Sequence, residues 1–320
     1  MSSPAKSEYT ANCYVKLQVP GYDGRKNDVV FCPPPSGIPE GRLRRHVLVY
    51  FGGDIQDWSI SMGRHQDNHR WLNYSLEDTA QLLARKFLSG HILVIRPSRM
   101  TYGTYSVFQN FVQSDDLGLP VYSSQHYAWR HLRLLISQVL RSQESRAASD
   151  LAEGEDQGEQ CSRKGDPKCS SSTTDEPDLI LPDSLTLIGF SKGCVVLNQL
   201  VQELEAAEKD PEDRELILRL RRLYWLDGGI SGGRGAWITS RDLLERLVRL
   251  PGLAGLETHV TPYQMKDDGR AYIANEERKF TRILRELTKS YFRTYHYEDE
   301  ERSLERHFQL LQDFSPDATV

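Results

Sequence analysis

The chain of 320 residues is predicted to be an α/β protein with a mostly parallel sheet and helices on both faces. Two observations predict this class. Several short runs are apolar without interruption, as in 46–51 (HVLVYF) and 91–95 (HILVI), which is typical of strands buried on both faces. Segments with apolar residues at helical spacing separate these runs, as in residues 76–88. Strands joined through helices in this way run parallel to one another.

The sequence indicates the strands and helices one after another. Two β-like runs, 14–19 and 28–32, flank a Pro-Gly-Tyr-Asp-Gly turn and would add an antiparallel edge to the sheet. Further strands are predicted at 46–51, 91–95, 185–188, 223–226, 258–263 and 291–297. Helices are predicted at 76–88, 128–139, 195–208, 240–250 and 274–289. Since ligands bind at the carboxyl ends of the strands in such sheets, the functional residues are expected there.

Composition excludes several classes of protein. A formal net charge of −5 argues against a nucleic-acid partner, because such proteins need a basic face. No run of about 18 apolar residues is present, so no transmembrane segment is expected. The N-terminus resembles neither a secretory signal nor an Arg-rich presequence, which favours an intracellular protein. The five cysteines are odd in number and lack zinc-site spacing, so free thiols and no metal site are expected.

One segment differs from the rest in composition. Residues 142–178 are rich in Ser, Glu, Asp and Gly and contain almost no large apolar residue. Such a segment cannot bury enough apolar surface to offset the entropy of ordering. We therefore interpret residues 142–178 as a disordered acidic insertion within a single domain that spans 1–320. Neither half would form a complete sheet alone.

The strongest chemical signal is Gly189-Phe190-Ser191-Lys192-Gly193, which matches the pattern G-x-S-x-G. A buried strand leads into this pentapeptide and an amphipathic helix follows it, which is the setting of a nucleophile elbow. The small glycines let strand and helix approach each other closely. Ser191 would then stand above the sheet as the nucleophile, and the backbone N–H of Lys192 would point at the developing oxyanion.

The wider string GFSKGCVVLNQL, together with YWLDGGISGG and THVTPYQ downstream, resembles one branch of the α/β-hydrolase superfamily. That branch is a poorly characterised group of animal, mitochondria-associated, serine-hydrolase-like proteins. The resemblance runs from about residue 14 to residue 308, apart from the acidic insertion. It implies an α/β-hydrolase fold and a mitochondrial location. No presequence is visible in the given sequence, and a cytosolic location is the alternative.

A nucleophilic serine needs a base and an acid that orients the base, and in this fold the chain order is Ser, acid, His. Three histidines follow Ser191, and two of them, His259 and His296, fall within predicted strands. Only His307 follows the last strand. We therefore predict that His307 is the base, on a loop that returns over the sheet.

Three carboxylates are candidates for the acid. Asp267 follows the THVTPY strand, where this fold usually places the acid, and Asp268 is adjacent to it. Asp227 ends the preceding strand, where some lipases have theirs. The sequence favours Asp267, with Asp227 as the alternative.

The second oxyanion donor is expected in the loop after the HVLVYF strand. There, Phe51-Gly52-Gly53-Asp54 resembles a His-Gly-Gly loop in which Asp54 replaces a third glycine. The N–H of Gly53 is the favoured donor, with that of Asp54 as the alternative. An unpaired carboxylate beside an oxyanion would cost several kcal/mol, so Asp54 must point away, pair with a cation, or mark a site that no longer catalyses acyl transfer.

These residues predict a serine hydrolase that cleaves an ester or thioester and needs no cofactor. The substrate would be a small molecule or a lipid acyl group, for which Tyr and Trp residues in the loops are suited. The alternative is a catalytically silent hydrolase fold that serves as a binding partner or scaffold for another protein. The two hypotheses differ in whether Ser191, His307 and a carboxylate meet within hydrogen-bonding distance.

Overall fold

The computed structural model describes residues 13–35, 45–154, 179–229 and 235–316. The main sheet of this part of the chain has eight strands. They are β1 (Tyr14–Pro20), β2 (Lys26–Cys32), β3 (His46–Phe51), β4 (Gly90–Ile95), β9 (Ser184–Phe190), β10 (Leu220–Leu226), β11 (Gly255–Val260) and β12 (Tyr291–Tyr295). Two small hairpins lie in the connection after β4 and comprise β5 (Arg99–Thr101), β6 (Tyr105–Val107), β7 (Gln113–Ser114) and β8 (Pro120–Val121).

Helices connect most of the parallel strands. They are α1 (Ser59–Arg64), α2 (Leu76–Lys86), α3 (Ala128–Gly154), α4 (Cys194–Ala207), α5 (Pro211–Ile217), α6 (Arg241–Val248), α7 (Pro262–Met265), α8 (Ala271–Leu287) and α9 (Leu304–Asp313). None of the helices in the described residues is both long enough and apolar enough to span a membrane.

The strand order in the main sheet is β1-β2-β4-β3-β9-β10-β11-β12. In this sheet, β1 and β2 are antiparallel to their neighbours. The other six strands, β4, β3, β9, β10, β11 and β12, pair in parallel. Counting the eight sheet strands along the chain gives 1-2-4-3-5-6-7-8, which is the order of the α/β-hydrolase fold. The predicted fold class is thereby confirmed.

The sheet separates two hydrophobic cores. Alternate residues of β3 enter opposite cores, because side chains alternate across a strand: Val47 and Val49 face one core, and Leu48 and Tyr50 face the other. The first core is covered by α3, α4, α6 and α8, and the second by α2 and α9. The predicted arrangement of helices on both faces is therefore present, with the carboxyl ends of the central strands left for the site.

The structure differs from the sequence-based expectations in several elements. The strand expected at 258–263 ends at Val260, and α1, α5 and the two small hairpins were not predicted. A final helix, α9, follows β12 where only a short tail was expected. Helix α3 continues to Gly154 and so enters the segment 142–178 that was interpreted as disordered. Long helical runs do not need an apolar face along their whole length once a buried first part has nucleated them. The remainder of that segment, 155–178, lies outside the described residues.

The expectation that all cysteines are free thiols is wrong for one pair. A disulfide joins Cys13 to Cys32, which face each other across the antiparallel β1–β2 pair with Cα atoms 4.1 Å apart. Sequence spacing did not reveal this pairing because it depends on the register of the two strands. Cys194 is a free, buried thiol. Cys161 and Cys169 lie outside the described residues.

We expect Cys13→Ser to lower the free energy of unfolding by about 3 kcal/mol under non-reducing conditions, because a cross-link over this separation removes loop entropy from the unfolded chain. The two cysteines are 19 positions apart. Urea unfolding of wild type and variant, each with and without dithiothreitol, measures the effect. With the reductant present, the two proteins should unfold at the same urea concentration. Equal stability without the reductant would contradict the disulfide.

A second prediction concerns His131, which is fully buried in α3. Its Nδ1 accepts a hydrogen bond from the Tyr22 N–H at 3.1 Å, and its Nε2 lies 2.8 Å from Asn27 Oδ1. One nitrogen therefore accepts and the other donates, which requires the neutral imidazole. Burial, with the charge of Arg25 as a lesser cause, lowers the pKa of His131 to about 3.

The unfolded chain binds a proton at His131 near pH 6.5, whereas the folded chain does so only near pH 3. The neutral histidine therefore contributes stability above pH 6.5 that is lost as the pH falls toward 3. Between pH 7.5 and 5.0 we expect a loss of about 2 kcal/mol in the free energy of unfolding from this group. His131→Gln should show a weaker pH dependence than wild type, and His69→Gln, at an exposed position, should not. If the free energy of unfolding depends on pH equally in the two variants, the low pKa of His131 is refuted.

Candidate active site

Ser191 occupies a sharp turn between β9 and α4. Its φ of 51° lies in the left-handed region, which non-glycine residues seldom adopt. The residues two positions before and after Ser191 must be glycine, because other backbone atoms lie where a side chain would begin. A Cβ on Gly193 would lie 2.0 Å from the carbonyl oxygen of Phe51, and one on Gly189 would lie 2.9 Å from the Cα of Cys194. The sequence thus folds here into the strand–elbow–helix turn that the motif predicts.

The carboxylate next to His307 is that of Asp227. His307 Nδ1 lies 2.6 Å from Asp227 Oδ2, and both side chains are buried. Asp227 follows β10 directly and has a φ of 46°. Thr261 holds it in place, since the backbone N–H of Thr261 donates to Oδ1 at 2.8 Å and its hydroxyl donates to Oδ2 at 2.5 Å. The carboxylate is therefore fixed by three contacts and faces the imidazole.

His307 lies in the first turn of α9 and not on a loop, which corrects the expectation from sequence. The helix begins after Ser303, whose hydroxyl accepts from the N–H groups of Glu305 and Arg306. The rings of Phe190 and Tyr263 pack on the imidazole with centroid distances of 4.5 and 4.4 Å. A base that must be oriented precisely is thus held by a helix and two aromatic rings.

Phe190 also relates His307 to the serine, because it immediately precedes Ser191 in the chain. The imidazole that stacks on Phe190 is therefore beside the elbow. Within the described part of the chain, no hydrogen bond joins Ser191 Oγ to His307. Catalytic hydrogen bonds of this kind are often long in a ligand-free enzyme and shorten when substrate binds.

The structure does not bring Asp267, the favoured acid, to His307. Its carboxylate accepts from the Arg270 guanidinium at 2.6 and 2.8 Å and pairs with Arg302 at 3.3 Å. Burial acts to raise the pKa of Asp267, but hydrogen bonds and charge from Arg270 hold it below its ordinary value. The strand before it ends at Val260 and Pro262 begins α7, so Asp267 and Asp268 are carried past the strand end.

The favoured second oxyanion donor is also engaged elsewhere. The Gly53 N–H donates to Gln56 Oε1 at 2.9 Å. By contrast, the backbone N–H groups of Asp54 and Lys192 have no acceptor among the described residues. The loop lies directly against the elbow, since a Cβ on Gly53 would be 2.6 Å from the Cβ of Ser191. Asp54, the alternative donor, and Lys192 are therefore the N–H groups left for an oxyanion.

The Asp54 carboxylate is paired with a cation, which is one of the three outcomes considered from sequence. Its Oδ2 lies 3.5 Å from Lys192 Nζ, and its Oδ1 accepts from the Ser106 N–H at 2.8 Å. Burial raises the pKa of Asp54, and Lys192 and the Ser106 N–H partly offset that rise. The carboxylate thus does not stand unpaired beside the site.

Sequence reasoning missed three polar residues that build the site. Gln56 accepts from Gly53, and its amide donates to the Tyr74 carbonyl oxygen at 2.8 Å. Ser106 donates through its hydroxyl to the Gly53 carbonyl oxygen at 2.6 Å, and Thr261 holds Asp227. Only Thr261 had a signal in the sequence, because a threonine before proline is a typical helix N-cap.

The other two histidines that follow Ser191 in the chain form a separate pair. His259 Nδ1 lies 3.0 Å from His296 Nε2, and His259 Nε2 lies 3.4 Å from Glu257 Oε2. Burial, with the neighbouring His259 as a lesser cause, lowers the pKa of His296 to about 4. Neither of these histidines forms a hydrogen bond to Asp227 through its side chain in the described residues, in agreement with the choice of His307 as the candidate base.

Comparison with known proteins identifies the family. A model of the C2orf69 family matches residues 16–290. The chain belongs to the C2orf69 family. The "Mitochondrial protein C2orf69 homolog" of Mus musculus is 38% identical over 315 residues, covering 92% of this chain and 85% of the relative. The human "Mitochondrial protein C2orf69" is 37% identical over 300 residues, covering 88% and 77%. The resemblance expected from the sequence motifs is confirmed.

Solved structures with related folds are more distant. A thermostable esterase is 12% identical, with a TM-score of 0.42, and the alignment covers 93% of this chain and 60% of that one. An esterase from Thermogutta terrifontis is likewise 12% identical, with a TM-score of 0.42 and coverage of 93% and 84%.

Proposed function

We propose that this protein is a serine hydrolase that cleaves an ester or thioester through Ser191, His307 and Asp227. The observation that carries the proposal is the buried contact of 2.6 Å between His307 Nδ1 and Asp227 Oδ2, beside a serine at a φ of 51°. A buried carboxylate that holds an imidazole next to an elbow serine is the arrangement that acyl transfer needs. Asp227 replaces Asp267 as the proposed acid.

In the proposed reaction, Ser191 Oγ attacks the carbonyl carbon while His307 Nε2 takes the hydroxyl proton. Asp227 accepts from His307 Nδ1–H, so the free nitrogen is the one that faces the serine. The negative charge on the carbonyl oxygen is stabilised by the N–H groups of Lys192 and Asp54. The protonated His307 then gives its proton to the leaving alcohol or thiol, and water releases the acyl group by the reverse sequence of proton transfers.

The substrate class follows from the reaction and remains part of the proposal. An ester or thioester of a small molecule or of a lipid acyl chain fits a site that uses only side chains and backbone N–H groups. We further propose a mitochondrial location, which rests on the names of the relatives from mouse and human.

Labelling with a fluorophosphonate tests the proposal, because this probe phosphonylates an activated serine and needs no knowledge of the substrate. We expect the wild-type protein to be labelled and Ser191→Ala to be unlabelled. Ser184→Ala, at the other end of β9, is the matched control and should be labelled like wild type. A folded wild-type protein that remains unlabelled would refute the serine hydrolase.

A catalytically silent hydrolase fold that binds another protein is the second candidate. One observation favours it, namely that no hydrogen bond joins Ser191 Oγ to His307 in the described residues. The same experiment separates the two candidates. Labelling that depends on Ser191 supports the hydrolase, and its absence from a folded protein supports the binding role.

A further inference from the structure

The two N–H groups that remain for an oxyanion belong to residues whose side chains form an ion pair. Lys192 follows the serine in the turn after β9, and Asp54 lies in the loop after β3. Their charged groups meet across the site, with 3.5 Å between Lys192 Nζ and Asp54 Oδ2. The pair therefore connects the two chain segments that would supply the two halves of an oxyanion hole.

Both ends of this pair are anchored to a third segment. Lys192 Nζ donates to the Leu117 carbonyl oxygen at 3.0 Å, and Asp54 Oδ1 accepts from the Ser106 N–H at 2.8 Å. The Lys192 side chain is only 7% exposed. Removing an ammonium group from water costs solvation free energy, and carboxylate and carbonyl partners at this distance offset part of that cost.

The backbone of Gly53 packs directly against the side chain of Ser191 at the same place. A Cβ on Gly53 would lie 2.6 Å from Ser191 Cβ and 3.1 Å from Ser191 Oγ. The loop after β3 thus cannot move closer to the elbow. The ion pair opposes movement in the other direction, away from the elbow. Together, the contact and the pair limit the distance between the two N–H groups from both sides.

We propose that Lys192 and Asp54 are positioning residues whose ion pair fixes the spacing of their own backbone N–H groups, so that both reach one oxyanion. The inference rests on the proposed hydrolase function and names what sets the geometry of its oxyanion hole. It also gives a reason for Asp54 at a loop position where glycine would otherwise suit the close approach. The carboxylate faces the lysine, and the N–H of the same residue faces the substrate oxygen.

The effect of the pair should appear in kcat. An oxyanion exists only in the transition state and the tetrahedral intermediate, so looser donors raise the barrier without weakening the binding of substrate. Complete loss of one donor costs about 10²–10³-fold in kcat in enzymes of this type. Loosening a donor that is still present should cost less, and we expect about 10–100-fold.

Turnover of p-nitrophenyl butyrate by the full chain tests the proposal in three variants: Asp54→Asn, Lys192→Met and the double variant. In each single variant we expect kcat to fall about 10–100-fold while KM stays within about twofold. Because both substitutions break the same contact, the double variant should be no slower than the slower single variant. The fold of each variant is checked by its thermal midpoint and its circular dichroism.

The matched control is Glu277→Gln, which breaks an ion pair at the β12 edge of the sheet. Glu277 Oε1 accepts from Arg293 Nε at 2.8 Å, and Glu277 is fully buried. This variant should lower the thermal midpoint and leave kcat unchanged, which separates lost stability from lost positioning. If Asp54→Asn does not fold, Lys192→Met carries the same comparison alone, because it removes the other partner of the same contact.

Two results would overturn the proposal. Variants with wild-type kcat, or with a raised KM and an unchanged kcat, would show that the pair does not set the oxyanion geometry. Additive losses in the double variant would show that Lys192 and Asp54 act independently. In either case, hydrolysis of the ester by the wild-type protein would still support the proposed hydrolase function. A folded wild-type protein that neither turns over the ester nor takes the fluorophosphonate would refute both proposals.

Discussion

Replacing Asp227 with asparagine is expected to lower kcat by about 10⁴-fold and to leave the fold intact. Asparagine tolerates the left-handed backbone that Asp227 adopts, at a φ of 46°. Its side-chain oxygen can still accept from the Thr261 N–H, which now donates to Asp227 Oδ1 at 2.8 Å. The amide NH₂ then faces His307 Nδ1, and that nitrogen must accept. The proton moves to Nε2, which can no longer take the proton of Ser191.

Asp267→Asn is the matched control for this prediction. It makes the same chemical change at the carboxylate that the sequence favoured, and it breaks the pairs with Arg270 and Arg302. We expect its kcat to stay within about threefold of wild type, as is usual for a partly exposed pair away from the reacting atoms. Hydrolysis of p-nitrophenyl butyrate by both variants is the measurement. Loss of activity in Asp267→Asn with retention in Asp227→Asn would reverse the assignment of the acid.

Gly193→Ala is expected to destabilise the protein by more than about 3 kcal/mol, which is a large effect for a single methyl group. The new Cβ would lie 2.0 Å from the Phe51 carbonyl oxygen and 2.8 Å from that of Gly52. Both are backbone atoms in and after a central strand, so no rotamer change relieves the contact. Without this clash, alanine would be favoured over glycine by about 1 kcal/mol in a helical conformation. The clash outweighs this gain, so the substitution is expected to lower the free energy of unfolding.

Gly229→Ala provides the comparison for Gly193→Ala. The nearest atoms to its Cβ belong to Gln264, at 3.9 Å, so ordinary van der Waals contact is expected. This variant should unfold within about 0.5 kcal/mol of wild type. Urea unfolding followed by tryptophan fluorescence measures both proteins. If Gly193→Ala unfolds at the same urea concentration as Gly229→Ala, the close packing of the elbow against β3 is contradicted.

The strands of the main sheet were predictable because each carries its own signal. The run at 46–51 is apolar throughout, and β3 has the same bounds. The elbow was predictable for the same reason, since Gly189, Ser191 and Gly193 are consecutive in a short pattern whose spacing sets the turn. Helix α9 was not predicted, although Ser303 is a favourable N-cap and Leu304, Phe308 and Leu311 recur at helical spacing.

The disulfide, the acid and the second oxyanion donor could not be chosen from the sequence. Cys13 meets Cys32 because of the register between β1 and β2. Asp227 and Asp267 both follow strands, and a short helix after β11 carries Asp267 away to its arginines. Gly53 and Asp54 are neighbours, and only a side chain three residues on, Gln56, determines which N–H is occupied.

By itself the sequence determined the succession of most strands and helices along the chain, the resemblance to the α/β-hydrolase superfamily and the two residues Ser191 and His307 as candidates, because these depend on short motifs and on chain order. The tertiary structure decided which carboxylate contacts His307 and which cation pairs with Asp54. Those partners are distant in sequence, 80 residues apart for Asp227 and His307. They are brought together by strand ends and loops whose paths depend on packing, and packing is a property of the whole fold.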